Sequence, residues 1–157
     1  MSDSDQRIAK IDLNEHSVLR RNADVEHERN VAIFDLVEEN SFALAGANGP
    51  YHVTLAIEEN RLVFDIRSTG DKPIRRVMLP LSPFRRIVKD YFLICESYYA
   101  AIRTASPSRI EAIDMGRRSL HDEAATLLAE RLADDITMDA NTARRLFTLL
   151  CVLHIRA

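Results

Sequence analysis

The residues best suited to chemistry lie in one stretch, SPSRIEAIDMGRRSLHDEAA at 106–125, where an arginine pair stands between an aspartate and a histidine. His121 is the type of side chain that serves as a general acid or base, and Arg117 is the type that clamps an oxyanion or a phosphate. Asp114 would orient the histidine. These roles suit a small hydrolase or transferase acting on an anionic, phosphate- or carboxylate-bearing substrate.

The helical spacing of this stretch is the main objection to an enzyme. Asp114 and His121 stand about 10.5 Å apart along one helix, beyond direct contact for short side chains. A catalytic site would therefore need a carboxylate from a second element. A concave pocket that brings this carboxylate together with His121 and Arg117 would favour an enzyme, whereas a convex surface would exclude one.

The same helix offers a simpler interpretation of its charges. Asp114 and Arg118 are four residues apart, the spacing of a routine surface ion pair. Arg117 instead projects from the apolar side, where it needs a carboxylate, a route to solvent or an anionic ligand. We expect the partner of Arg117 to be a carboxylate from another element, such as Glu96 or an acidic residue of the first helix.

A second basic cluster opens the helix that begins SPFRRIVKDY at 82–91. Arg85, Arg86 and Lys89 lie in the first two turns, where the partial positive charge of the helix start disfavours cations. Arg85 and Lys89 also repel each other, because they are four residues apart on the helix. A bound anion would relieve both penalties. A surface ion pair between Arg86 and Asp90 is the alternative. The residues that we assign to an anion- or partner-binding site are Arg85, Arg86, Lys89, Arg117 and His121.

The sequence lacks complete motifs for binding a metal, for binding a cofactor and for covalent catalysis. None of the five histidines forms an H-x-x-x-H pair, and four glycines leave no phosphate-binding loop. We therefore assign no catalytic residue and expect neither a metal nor a cofactor. Cys95 and Cys151 fall in apolar helical stretches, where buried reduced thiols are the norm.

Composition limits the class of partner. The chain has 157 residues, a net charge of −3 and 46% hydrophobic residues, which predicts a single globular domain over 1–157, with 1–6 flexible. The sequence pI near 6.0 argues against general nucleic-acid binding. Arg-Arg pairs occur at 20–21, 75–76, 85–86, 117–118 and 144–145. Their scatter gives no single motif.

The two ends of the chain bear on its location. The opening residues MSDSDQRIAKID are polar and lack the apolar segment of a signal peptide. The longest apolar stretch, LFTLLCVLHI at 146–155, is too short to span a bilayer. We expect a cytoplasmic protein with no membrane association.

Periodicity predicts an α+β fold with the element order β-α-β-β-β-α-α-α. Alternating residues at 51–57 and 62–66 predict a hairpin, 74–79 a third strand, and 7–13 an N-terminal strand. Ser82, Ser106 and Asp139 mark the starts of three helices. We expect a small antiparallel sheet, a three-stranded meander plus the N-terminal strand, packed with about four helices.

The last helix, which Asp139 would cap, is apolar on nearly every side from Leu146 to Ile155. Such a helix lies at the centre of a core or forms half of a dimer interface. We expect a core position, with a homodimer as the alternative.

Three long blocks carry a resemblance: VEHERNVAIFDLVEENSF (25–42), SPFRRIVKDYFLICESYYAAIRTASPSRIEAIDMGRRSLHDEAA (82–125) and TARRLFTLLCVLHIRA (142–157). With these blocks the chain resembles an uncharacterised protein family of α-proteobacteria, number two hundred and sixty-two in the UPF series. The resemblance implies a small soluble bacterial protein and carries no assigned activity, cofactor or catalytic residue.

Our leading hypothesis is a non-catalytic cytoplasmic binding or regulatory protein that recognises a protein partner or a small anion. The basic cluster at 85–89 and the incomplete catalytic templates motivate it. The alternative is the hydrolase or transferase that uses His121 and Arg117.

Overall fold

The computed structural model describes residues 5–14 and 23–154. Its strands are β1 (Ile8–Leu13), β2 (Phe42–Leu44), β3 (Tyr51–Glu58), β4 (Arg61–Ser68), β5 (Pro73–Pro80) and β6 (Ile136–Met138). Its helices are α1 (Ala23–Glu38), α2 (Arg85–Thr104), α3 (Pro107–Leu132) and α4 (Ala140–His154). The α+β class and the predicted order of the main elements are confirmed. The predicted flexibility of 1–6 falls largely on residues 1–4, outside the described ranges.

The main sheet has the strand order β1-β3-β4-β5. Strands β3, β4 and β5 form the predicted antiparallel meander. Strand β1 differs from the expectation, because it runs parallel to β3, with Ile11 beside Val53 and Leu13 beside Leu55. A parallel pair needs a crossover connection of about a dozen residues or more, and α1 lies in that connection. The sheet is therefore mixed rather than purely antiparallel.

Two further strands were not predicted. Strand β2 pairs antiparallel with β6, three residues on each side, and Ala45 N donates to Asp135 O at 2.8 Å just beyond the pair. Three residues are too few to display a period-two pattern. This small sheet fastens the segment after α1 to the connection between α3 and α4.

The core lies between one face of the main sheet and the helices. Side chains at alternate positions of β3 and β4, such as Val53, Leu55 and Phe64, are fully buried. Helix α4 contributes Leu146, Phe147, Leu149 and Leu150, each at most 1% exposed, and packs against both α1 and α3. The predicted core position of the last helix is confirmed. Within residues 5–14 and 23–154, no helix is long and apolar enough to cross a membrane.

Local signals set the ends of the helices. Ser106 Oγ accepts from Arg109 N at 3.3 Å at the start of α3, and Asp139 Oδ1 accepts from Thr142 N at 2.9 Å at the start of α4. Both side chains satisfy an amide that the helix leaves free. Ser82 makes no such bond, because residues 82–84 form a 3₁₀ turn that leads directly into α2.

Candidate anion-binding groove

A groove of about 480 Å³ opens between α1, α3 and α4, within the size range of small-molecule sites. We call it the arginine groove. Its lining consists of His27, Glu28, Val31, Ala32 and Asp35 from α1, Tyr91 from α2, Arg117, Arg118, His121 and Asp122 from α3, and Arg144, Arg145 and Thr148 from α4. Arg117 and His121, two of the residues that the sequence singled out, therefore share one concave site.

Two arginine pairs meet at this groove. The pair at 117–118 comes from α3 and the pair at 144–145 comes from α4, which packs beside it. From the sequence the Arg-Arg pairs were scattered, and Arg144 and Arg145 were not assigned to the site. Their convergence depends on the packing of two helices, which no local spacing reports.

Arg117 is neutralised by its own helix. Asp114 Oδ1 accepts from Arg117 Nε at 3.1 Å and from Nη2 at 2.6 Å. The expectation that the partner comes from another element is wrong, because Asp114 serves both arginines: its Oδ2 lies 2.9 Å from Arg118 Nη2, the predicted surface pair. The Arg117 hydrogen bonds lower the pKa of Asp114.

The ring of Tyr98, from α2, also contacts Arg117. The guanidinium carbon lies 4.8 Å from the centroid of the Tyr98 ring, a cation–π distance. Burial opposes the positive charge, but Asp114 and Tyr91 outweigh this effect, and the pKa of Arg117 is raised. Arg117 is therefore a fixed, permanently charged group at the groove.

His121 is held among aromatic rings. The rings of Tyr91 and Phe147 approach it edge-on, with centroids at 5.3 and 5.2 Å. Its Nε2 lies 2.9 Å from Thr148 Oγ1, which itself donates to the carbonyl oxygen of Arg144 at 3.2 Å. Since the hydroxyl proton is engaged there, we assign the imidazole proton to Nε2, leaving Nδ1 as an acceptor.

The charge state of His121 follows from its surroundings. Burial lowers its pKa to about 4; Asp122 opposes the shift, while Arg117 and Arg144 add to it. The imidazole is therefore uncharged at neutral pH. It offers the groove a hydrogen-bonding group rather than a cation.

The opposite side of the groove is acidic. Glu28 and Asp35 lie seven residues apart on α1, on the same face of the helix. Glu28 Oε1 accepts a hydrogen bond from Tyr99 Oη at 2.8 Å. Asp122 belongs to the basic side, where Arg144 Nη1 lies 3.1 Å from its Oδ1. Sequence reasoning did not assign Glu28 and Asp35 to a site.

The basic cluster at the start of α2 lies outside the groove. Arg85, Arg86 and Lys89 are exposed, and among the described residues their side chains make no ion pair, so the expected pair between Arg86 and Asp90 does not form. The amide of Phe84 donates to Leu81 O at 2.9 Å and that of Arg85 to Ser82 O. These amides of the first turn are engaged already and do not point to an anion.

The thiols and the metal-binding side chains add no second site. Cys95 is partly buried and Cys151 is buried, and burial raises the pKa of both thiols. In the part of the chain that the structure describes, no group of three histidine, cysteine or acidic side chains is arranged to hold a metal ion.

Comparison with known proteins places this chain in a family. Residues 5–156 match the family described as "Uncharacterised protein family (UPF0262)". A UPF0262 protein of Rhodospirillum rubrum is 58% identical over 156 residues, which cover 99% of this chain and 96% of the relative. One of Paramagnetospirillum magneticum is 58% identical over 152 residues, which cover 96% of this chain and 97% of the relative. No solved structure matches the chain. The chain therefore belongs to the UPF0262 family of α-proteobacteria, as the three sequence blocks predicted.

Proposed function

We propose that the protein is a non-catalytic cytoplasmic binding or regulatory protein that holds a small anion-bearing molecule in the arginine groove. The observation that carries this proposal is the convergence of the arginine pairs of α3 and α4 on one concavity. Arginine presents planar, paired donors that match phosphate and carboxylate oxygens. A groove of about 480 Å³ suits a small molecule or a single charged side chain of a protein partner.

Unused donors remain at the groove. The side chain of Arg145 is half-buried and makes no hydrogen bond or ion pair within the described residues. Arg117 is engaged by Asp114 through Nε and Nη2 and also interacts with Tyr91, so the uncommitted donors are those of Arg145. An anion between α3 and α4 would therefore meet donors that the protein has already desolvated in part, which favours binding.

Titration calorimetry with inorganic phosphate and ethyl phosphate at low salt tests the proposal. We expect wild type to bind, and the Arg144→Gln/Arg145→Gln variant to bind at least about ten-fold more weakly, a loss of about 1.4 kcal/mol. The variant Arg75→Gln/Arg76→Gln is the matched control, because it removes an arginine pair on β5, outside the groove. Equal binding by wild type and the groove variant would overturn the proposal.

The same titration separates the two basic sites. An Arg85→Ala/Lys89→Ala variant changes the start of α2 and leaves the arginine groove intact. If this variant loses phosphate binding and the groove variant does not, the anion binds where the sequence first suggested. The groove proposal would then be wrong.

The homodimer hypothesis needs a new basis. It rested on the apolar last helix, whose residues are now buried within one chain. Three large apolar side chains of α1 are exposed instead: Val31 at 42%, Phe34 at 66% and Val37 at 38%. Analytical ultracentrifugation of wild type and Phe34→Ser tests this surface. A wild type that sediments as a monomer at high concentration would exclude it.

The alternative function is the small hydrolase or transferase. It is favoured by the meeting of Arg117, His121 and the carboxylates of α1 in one concave groove. It is disfavoured by the pKa of His121, about 4, because a general base works best near the operating pH. Hydrolysis of p-nitrophenyl phosphate tests it: a wild-type rate above buffer that His121→Gln abolishes would favour the enzyme over the binding protein.

A further inference from the structure

We propose that the molecule bound in the arginine groove is a small zwitterion, whose anionic group meets the arginines of α3 and α4 and whose amine meets Glu28 and Asp35. This inference rests on the proposed function and adds the chemical class of the ligand. It starts from the fact that the two sides of the groove carry opposite charge.

The carboxylates on the acidic side of the groove, Glu28 and Asp35, can accept more hydrogen bonds than they receive within the described residues. Among the described residues, Asp35 makes no hydrogen bond or ion pair through its side chain, although it is partly buried. Glu28 lines the groove, and only its Oε1 accepts the Tyr99 hydrogen bond. Carboxylates that are partly desolvated and lack a cation are costly, and a primary amine is the group that would satisfy them.

Neighbouring tyrosines of α2 fix the opposing charges. The Tyr98 ring lies beneath Arg117, whereas the Tyr99 hydroxyl binds Glu28, and the two rings are 5.7 Å apart. Arg117 on the basic side and Glu28 on the acidic side are thus each contacted by one of two adjacent tyrosines of α2.

The opposite charges do not cancel each other. Within the described residues, no nitrogen of the four groove arginines lies within 4.0 Å of a carboxylate oxygen of Glu28 or Asp35; the arginine partners are Asp114 and Asp122 instead. The groove consequently keeps a basic side and an acidic side with a gap between them. Among the charged lining residues, the side chains of Arg145 and Asp35 make no hydrogen bond or ion pair within the part of the chain that the structure describes.

This charge separation selects against ligands of one sign. A simple anion is attracted by the arginines and repelled by the α1 carboxylates. A simple cation is attracted by the carboxylates and repelled by the arginines. A molecule with both groups is attracted at both ends, and the partly apolar lining, with Val31 and Tyr91, weakens solvent screening. The class that fits is a small molecule bearing a primary amine and a phosphate or carboxylate.

Two probes that differ only in an amine test the inference. Ethyl phosphate and O-phosphoethanolamine share the anionic group, and we expect wild type to bind the second at least about ten-fold more tightly in titration calorimetry. The Glu28→Gln/Asp35→Asn variant should bind the two probes with equal affinity within about two-fold, because the acidic side is removed. Gln at position 28 keeps an oxygen that accepts from Tyr99, which preserves the fold.

The control variant is Glu38→Gln/Glu39→Gln, which removes the last carboxylate of α1 and the one that follows it, both outside the groove. It should keep the wild-type preference for O-phosphoethanolamine. If wild type binds both probes with equal affinity, the zwitterion inference is overturned and the proposed anion-binding function stands. If wild type binds neither probe, the proposed function itself fails.

Discussion

The carboxylate of Asp114 binds the guanidinium of Arg117 three residues later on α3, with Oδ1 accepting at 3.1 Å from Nε and at 2.6 Å from Nη2. Its Oδ2 lies 2.9 Å from Arg118. One carboxylate therefore binds both arginines of α3 and offsets only one of their two positive charges. On α4, Arg144 pairs with Asp122, and Arg145 makes no ion pair within the described residues. The groove keeps its positive side because its four arginines have only two carboxylate partners, Asp114 and Asp122, among the described residues.

Replacement of Asp114 by Asn should destabilise the protein. Arg117 would stay partly buried, at 27% exposure, with a weakened partner, which costs about 1–3 kcal/mol of the free energy of unfolding. Asp122→Asn is the control, because its pair with Arg144 is exposed and should cost less than about 1 kcal/mol. Urea unfolding at neutral pH measures both, and equal losses would contradict the role of Asp114.

His121 should make the stability of the fold depend on pH. Burial lowers its pKa from 6.5 to about 4, so between these values the unfolded chain binds more protons than the folded one. The free energy of unfolding should therefore fall as the pH is lowered from 6.5 to 4, by an amount on the order of 3 kcal/mol.

Comparison with a variant isolates this contribution. The pKa of His154 is also lowered by burial, so wild type retains a second contribution of the same sign. His121→Gln should flatten the pH dependence of urea unfolding below pH 6.5 and leave the part due to His154. Parallel curves for wild type and variant would show that His121 is not the group responsible.

Local patterns predicted the elements that carry their own signal. The hairpin of β3 and β4 shows period-two alternation in the sequence, and Ser106 and Asp139 are caps whose bonds form as expected. The direction of β1 was not predictable in this way, because alternation reports which face is buried and not which way the neighbour runs. Strands β2 and β6 are too short to show any pattern.

The candidate site also combines contacts that local spacing predicts with contacts that depend on helix packing. The pairing of Asp114 with Arg118 follows from i,i+4 spacing and is present. The addition of Arg144, Glu28 and Asp35 follows from how α1, α3 and α4 pack, which is a tertiary property. Sequence reasoning thus named Arg117 and His121 of α3 and missed the groove residues of α4 and α1.

Gly49 should be intolerant of a side chain. A Cβ at this position would overlap the backbone carbonyl oxygen of Asp5 and lie 2.8 Å from the ring of Tyr51. Backbone at residue 5 cannot move freely, because Tyr51 N donates to Arg7 O at 3.0 Å where β1 meets β3. Gly49→Ala should lower the free energy of unfolding by about 2 kcal/mol or more.

The control for Gly49 is Gly70→Ala. Its Cβ would come no closer than 3.8 Å, to Ser68 Oγ, so the change should stay within about 0.5 kcal/mol. Thermal or urea unfolding of the two variants measures the difference. Similar losses in both would mean that residues 5–7 do not pack against Gly49 as described.

The two cysteines should be protected from alkylation in the native protein. Burial raises the pKa of Cys95 and, further, that of the more deeply buried Cys151, and the thiolate is the reactive form. At neutral pH we expect iodoacetamide to modify Cys151 more slowly than Cys95, and both at least about ten-fold more slowly than in urea. Peptide mass mapping assigns the two sites separately. Native modification of Cys151 at the rate seen in urea would mean that α4 is not packed at the centre of the core.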